Sequence, residues 1–299
     1  MSAAISCSTG KTFGVARVCS AWGVARSSHY ARKARRMHPD LPSKRGPRPL
    51  LSDKELLVLI RADLASSPFI GDGHRKVWAR LRFVEGVKVS RKRVLRIMRQ
   101  EHLLSPHRVV QGLPKEHDGT IITAAPDIMW GTDGTKVFTL DEGWCWLFTA
   151  VEHWNAECVG WHVAKTGDRF AALQPLSMGL KQRYGSVGKG VARGLTLRMD
   201  NGSQYLSEHF QNQIKFWGIA PSFAFVAQPE TNGVVERFNK TLKEQIVHGR
   251  QYRNAEELRA AVGAFVETYN RHWLLEKLGF KSPWQARQEF DNQLFKAAA

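Results

Sequence analysis

Residues 144–154, WCWLFTAVEHW, run with almost no polar break, and this run restricts the fold more than any other stretch. Its aromatic and β-branched residues read as a strand. A strand that is apolar on both faces must be covered on both, so it belongs inside a layered sheet. Residues 128–139 before it and 156–165 after it also read as strands, with breaks at Gly143 and Asn155. A helix over 168–184, a strand over 195–200, a helix over 207–217 and a strand over 220–226 follow, then a long helix at about 233–248. The order β-β-β-α-β-α-β-α calls for an α/β core, a mixed sheet with helices packed on it. No internal repeat is present.

Ahead of this core the texture is helical. Residues 11–35 read as two short helices around a turn at Trp22–Gly23, with Val15, Val18 and Cys19 on one face. Pro39, Pro42, Pro47 and Pro49 among basic residues mark an extended linker. Ser52 and Glu55 form a capping box that opens a helix over 53–65. A second helix lies in HRKVWARLRF. A third begins at Ser90, where Val94, Ile97 and Met98 make the buried stripe and Arg91, Arg96 and Arg99 point elsewhere. Three short helices with a basic last one suit a helix-turn-helix unit whose final helix enters a major groove. A plain three-helix bundle with a solvated basic face fits the same pattern. Pro106, Pro114 and Pro126 mark a second linker. The expected organisation is a helix-turn-helix-like segment over 1–36, a linker over 37–50 and a three-helix DNA-binding domain over 51–104. A linker over 105–126, the core over 127–250 and a helical, basic tail over 251–299 complete it.

Charge narrows the partner. Forty-four Lys and Arg residues against 27 acids leave a net charge of +17, which favours a polyanion, and nucleic acid is the commonest. The four cysteines, Cys7, Cys19, Cys145 and Cys158, form no C-x-x-C pair and stand near no zinc-spaced histidines. They read as small buried hydrophobes in a reducing cytoplasm. No apolar run approaches the roughly 18 residues of a membrane span. Residues 1–39 carry no acid. That composition suits a transit peptide or a basic DNA-binding head, and the continuing helical periodicity favours the head. Most of the ten tryptophans, Trp144 and Trp146 among them, are expected in the core.

The acids in the core stand in unusual places. In LRMDNGSQY, Leu195, Leu197 and Met199 alternate with Thr196, Arg198 and Asp200, so a half-buried strand ends on a carboxylate. Ligands of open α/β sheets bind at that edge, although Asp-Asn-Gly is also a good turn by itself. Asp133 interrupts an otherwise uncharged strand, where a carboxylate costs free energy unless it is paired or metal-bound. Glu236 opens the helix after the loop Gln228–Gly233, where the helix dipole favours an anion. At about 100° per residue, Lys240 and Lys243 share the stripe of Glu236, and Val235, Phe238, Leu242 and Ile246 lie opposite. A surface helix with an i, i+4 Glu–Lys pair is compatible with that arrangement. Three carboxylates with no histidine or thiol point to a hard cation, magnesium or manganese. Two such ions clamp the attacking and leaving oxygens of a displacement at phosphorus.

Thirty-five residues separate Asp200 from Glu236. With Asp133 upstream, the spacing resembles the D,D(35)E signature of retroviral integrases and insertion-sequence transposases. The segments WGTDGTKVF, GWCWLFTAVEHWNAECVGWHV, DNGSQY, TNGVVERFNKTLKEQ and FVETYNRHWLLEKLGFKSPWQA are similar to that group in the same order. VCSAWGVARSSHYARKARR and GHRKVWARLR…VSRKRVLRIMRQEHLL resemble the helical front of its integrase-like second reading frame, so the likeness covers about residues 15–290. The resemblance implies a ribonuclease-H-like core preceded by small all-α helix-turn-helix units. It implies Asp133, Asp200 and Glu236 as a catalytic and metal-holding triad with two ions. It further implies Lys240 and Lys243 on the element's terminal double-stranded DNA, a homo-oligomer, and a cytoplasmic, nucleoid-associated protein. The activity implied is metal-dependent 3′-end cleavage and strand transfer. Gly134 replaces the usual apolar residue and weakens a strand. Gly233 stands where many relatives have alanine. No zinc module of the retroviral kind precedes the core. The leucine-zipper helix-turn-helix frame of the group is also missing, which implies an upstream-frame partner or a frameshift fusion. Two other functions stay open: a non-catalytic DNA-binding protein or repressor with a relic core, and a ribonuclease-H-type nuclease that cuts without joining.

Overall fold

A computed structural model describes residues 2–37, 50–105, 121–223 and 232–298. The prolines read as linkers, Pro39, Pro42, Pro47, Pro49, Pro106 and Pro114, lie outside them, as do residues 224–226 and most of the loop ahead of Glu236. The chain divides into two units, Met1–Ser52 and Asp53–Ala299. In the first, a bridge between Ile5 and Thr12 precedes α1 (Gly14–Ala21) and α2 (Arg26–Met37). Gly23, at φ 61°, turns the chain between them, and Val24 N–H closes the turn on Cys19 O. Cys19 is buried, whereas α2 buries no residue.

The second unit begins with α3 (Asp53–Ser66), α4 (His74–Phe83) and α5 (Arg91–Gln100), which enclose Leu56, Ile60, Val77, Leu81, Val94, Ile97 and Met98. Ser90 caps α5 by accepting from Arg93 N–H. Arg80 crosses the bundle to Asp63 and Asp72 at 2.7 and 2.8 Å, which neutralises two buried carboxylates.

Five strands follow: β1 (Met129–Thr139), β2 (Gly143–Glu152), β3 (Cys158–Ala164), β4 (Thr196–Met199) and β5 (Ala220–Phe223). Their order is β3-β2-β1-β4-β5, with β1, β2 and β3 antiparallel and β4 and β5 parallel to β1. The strand that reads as covered on both faces is β2, an inner strand buried along its second half. On one face α6 (Arg169–Tyr184), α7 (Ser203–Leu206) and α8 (Glu208–Trp217) cover Trp130, Phe148, Leu176, Leu197 and Phe210. On the other, α9 (Gly233–Leu242), a π-turn (Lys243–Val247) and α10 (Ala255–His272) cover Val137, Leu147, Val235, Phe238, Leu258 and Phe265. A mixed sheet between helical layers agrees with the expected ribonuclease-H-like core. The segment read as a tail, 251–299, supplies α10 and then α11 (Pro283–Ala298).

Several sequence readings change. Trp144 is 61% exposed, whereas Cys145 beside it, on the other face of β2, is buried with Tyr252 and Ala255. Gly134 is occupied space: a Cβ there would stand 2.6 Å from the ring of Phe148, itself fully buried. Among the cysteines, Cys19, Cys145 and Cys158 are buried and Cys7 is exposed, all as free thiols. No helix of the described residues is long and apolar enough to cross a membrane.

Candidate functional site

The parallel ladder between β1 and β4 pairs Met129 with Thr196, Trp130 with Leu197 and Gly131 with Arg198. Carried two steps past its last pair, that register would bring Asp133 opposite Asp200, which directly follows the last residue of β4, and the charge of Asp200 acts on Asp133. The two carboxylates are therefore near neighbours where β4 ends. Asp133 Oδ1 accepts from Gly134 N–H at 2.8 Å, and Oδ2 accepts from Asn239 Nδ2 at 2.9 Å. Burial pushes the Asp133 carboxyl above its ordinary value. The two hydrogen bonds oppose that push, the nearby Asp200 adds to it, and Lys243 works against it. Asp200 Oδ1 accepts from Gly202 N–H at 2.9 Å, so the Asp-Asn-Gly turn exists alongside the carboxylate pair.

Two buried asparagines bind α9 to β1. Asn232 Nδ2 donates to Thr132 O at 3.1 Å. Asn239 donates to Asp133 and accepts from the Thr149 hydroxyl at 2.9 Å. Glu236 lies between them along the helix and is exposed. Gly131 permits this docking, since a Cβ there would stand 2.8 Å from Asn232 Oδ1 and 3.0 Å from His153 Nε2. Burial lowers the His153 imidazole to about 4, which keeps it neutral beside the strand. Little in the local pattern marks Asn239, because an amide three residues after Glu236 reads as one more polar position on a solvated stripe.

Among the described residues, no group of three or more His, Cys, Asp or Glu side chains is close enough to hold a metal ion. The structure thus brings Asp133 and Asp200 together, with Glu236 on the helix that touches Asp133 through Asn239. The donors at the edge are oxygens, with two like-charged carboxylates side by side, and that chemistry fits a hard divalent cation. Lys243 is half-buried and near enough for its charge to act on Asp133, while Lys240 is exposed.

The basic residues of α5 are partly engaged within the chain. Arg91 pairs with Glu276 at 3.3 Å and lies over the Trp78 ring. Arg96 bonds Asp53 Oδ2 at 2.7 Å and Gln100 at 3.0 Å. Hydrogen bonds from Arg96 and Arg93 hold the Asp53 carboxyl below its usual value. Arg99 is exposed.

Comparison with known proteins agrees with this layout. Residues 123–229 and 217–283 each match an integrase core domain, and residues 53–110 match an HTH-like domain. The transposase for insertion sequence element IS629 of Shigella sonnei is 27% identical over 290 residues, covering 93% of each chain. Transposase InsD for insertion element IS2-9 of Escherichia coli (strain K12) is 28% identical over 292 residues, covering 92% of this chain and 93% of its own. A solved structure of the simian T-cell lymphotropic virus intasome, in complex with PP2A regulatory subunit B56 gamma, aligns at a TM-score of 0.44 and 18% identity over 77% of this chain and 74% of that one. The HTLV-2 integrase catalytic core domain in complex with magnesium aligns at 0.39 and 19% identity over 55% of this chain and 98% of that one.

Proposed function

We propose, on the premise that this chain is an integrase-core protein homologous to insertion-element transposases, that it cuts and joins DNA at the ends of such an element. The observation that carries the reading is the charge of Asp200 acting on buried Asp133, with Glu236 on a helix anchored to Asp133 by Asn239. Asp133, Asp200 and Glu236 would hold magnesium or manganese, and the integrase core named above was solved with magnesium. Bound ions, two in this reading, supply charge neutralisation at the phosphate and a more acidic attacking hydroxyl.

The chain's own residues do the rest. Asn239 fixes one Asp133 oxygen and Gly134 N–H the other. Lys240 and Lys243 neutralise phosphates of the terminal DNA. The helices of residues 51–104 read duplex DNA, with Arg99 free to reach phosphate and with Arg91 and Arg96 exchanging their carboxylate partners for it. In the first step, water attacks a phosphodiester and releases a 3′-hydroxyl at the element end. In the second, that hydroxyl attacks another phosphodiester, one P–O bond forming as one breaks. Two ends must meet, which calls for more than one copy of the chain.

The test uses purified protein, element-end duplex and Mg²⁺. Asp200→Asn and Glu236→Gln should abolish cleavage and joining while leaving duplex binding within a few-fold of wild type. Strand transfer at the wild-type rate in Asp200→Asn would remove the triad. The basic helices ahead of the core carry a second reading, a DNA binder without catalysis. Binding that ignores divalent ions, with no cut product from any end sequence, would select it.

A further inference from the structure

The first unit carries a basic helix with no acid to answer it. Residues 1–37 hold seven Lys and Arg residues, and the described residues of that unit contain no Asp or Glu. Its α1 ends at Ala21 and its α2 begins at Arg26, so four residues join them. Gly23 takes a left-handed conformation in the turn, and Trp22 N–H and Val24 N–H close it on Val18 O and Cys19 O. Two helices on a connector of this length, with a glycine inside it, follow the helix-turn-helix pattern, in which the second helix is the one presented to DNA.

Helix α2 buries no residue, and only His29 along it is half-buried. At about 100° per residue, Ser28, Arg32, Arg35 and Arg36 lie on one side of it, and Tyr30, Ala34 and Met37 lie on the other. A solvated helix face ordinarily mixes acids with bases at i, i+4 spacing. Here Arg32 stands at i, i+3 from Arg35 and at i, i+4 from Arg36, so like charges crowd one another with nothing to relieve them. On α5, by contrast, Arg91 pairs with Glu276, and Arg93 and Arg96 pair with Asp53.

We propose that α2 is a second duplex-binding helix of this chain, additional to the helices of residues 51–104, seated in the major groove by Ser28, Arg32, Arg35 and Arg36. The proposal rests on the reading that the chain acts on DNA. An α-helix about 10–12 Å across fills a major groove about 12 Å wide. Phosphates along the groove take the place of the missing acids, and their counterions are released. Single-stranded nucleic acid is a poorer occupant, because its bases seek rings interleaved with cations. The cationic side of α2 exposes no Phe, Tyr or Trp. Trp22 and Tyr30, 68% and 51% exposed, make an anionic membrane the competing partner. A membrane surface asks for a broad apolar face, and α2 has only the stripe of Tyr30, Ala34 and Met37.

The experiment measures binding of the full-length protein to the labelled element-end duplex over a series of salt concentrations. Arg32→Gln and Arg35→Gln should each lower the salt slope by about one, as the loss of one phosphate contact does. Arg32→Lys should keep the slope. Lys189→Gln, which removes an exposed cation of the other unit, should keep it too. Asp200→Asn should bind with the wild-type slope, so failure of the cleavage chemistry and failure of this site stay distinct. Methylation of guanine N7, which opens on the major groove, should be blocked by wild type along a stretch that the Arg32→Gln, Arg35→Gln double variant leaves open. Unchanged slopes in both single variants would overturn the proposal, as would an equal fall in Lys189→Gln or the same guanine protection in the double variant. Lost binding to phosphatidylserine vesicles in the double variant, with duplex binding intact, would assign the helix to a membrane and overturn it as well.

Discussion

Asp133 is held up by burial and by Asp200, and held down by two hydrogen bonds and Lys243, with the upward push prevailing. The native state therefore keeps this proton to a higher pH than the unfolded chain does. Stability falls as pH rises from the unfolded carboxylate value through the raised native one, and stays lower above it. Asp133→Asn keeps an acceptor for Asn239 and has no charge to bury. In buffer free of divalent ions it should melt above wild type at neutral pH, and the gap should close as pH falls toward 4. Thermal melts across pH decide this; a gap indifferent to pH would refute the account. Asp133 was legible in the sequence because a charge inside an apolar strand breaks a pattern. Trp144 misled because aromatic residues fill both cores and surface platforms, and a strand carries no mark of where its cover stops.

Helix α6 shows what local pattern could and could not give at the scale of elements. Asp168 and Gly185 delimit it as sequence rules would, the first accepting from Phe170 and Ala171 N–H and the second at φ 73°. Pro175 sits inside it without ending it. Gly160 of β3 lies so close beneath that a Cβ would fall 1.9 Å from Pro175 O. Gly160→Ala must therefore separate sheet and helix, at a cost of about 1–3 kcal/mol. A lower urea midpoint with an unchanged slope is the expected result. Periodicity predicts one helix through the α9 region to about 248, yet a π-turn occupies Lys243–Val247. Gln245 on that turn bonds both the N–H and the C=O of Ile70, at 2.8 Å each. Its partner lies far away in sequence, so no periodicity around 245 could announce it.

Across the second unit, segments that read as separate share contacts. The loop after α3 sets Phe69 edge-on to Trp273, and Trp78 meets Phe280. The apolar stripe of α10 was visible as helix, but its partners on β1 and β2 lie more than a hundred residues earlier, beyond the reach of local pattern. Arg287 of α11, almost fully buried, bonds Asp127 at 2.9 Å and Glu157 at 3.2 Å and lies 3.6 Å from Glu152. Asp127 N–H and Trp130 Nε1 also converge on Glu152. Arg287→Met should cost about 3–5 kcal/mol, because it strands carboxylates that water cannot reach. Chemical denaturation measures the loss, and a change within ±0.5 kcal/mol, as at an ordinary surface site, would show the cluster to be dispensable.

That cluster also imposes a timetable on synthesis. Glu157 leaves the ribosome 130 residues before the guanidinium of Arg287, and Glu152 earlier still. Until then the nascent sheet carries anions it cannot bury at ease, so it stays open to protease while translation continues. Ribosome-stalled chains ending before Arg287 should be digested readily, and chains released past it should resist.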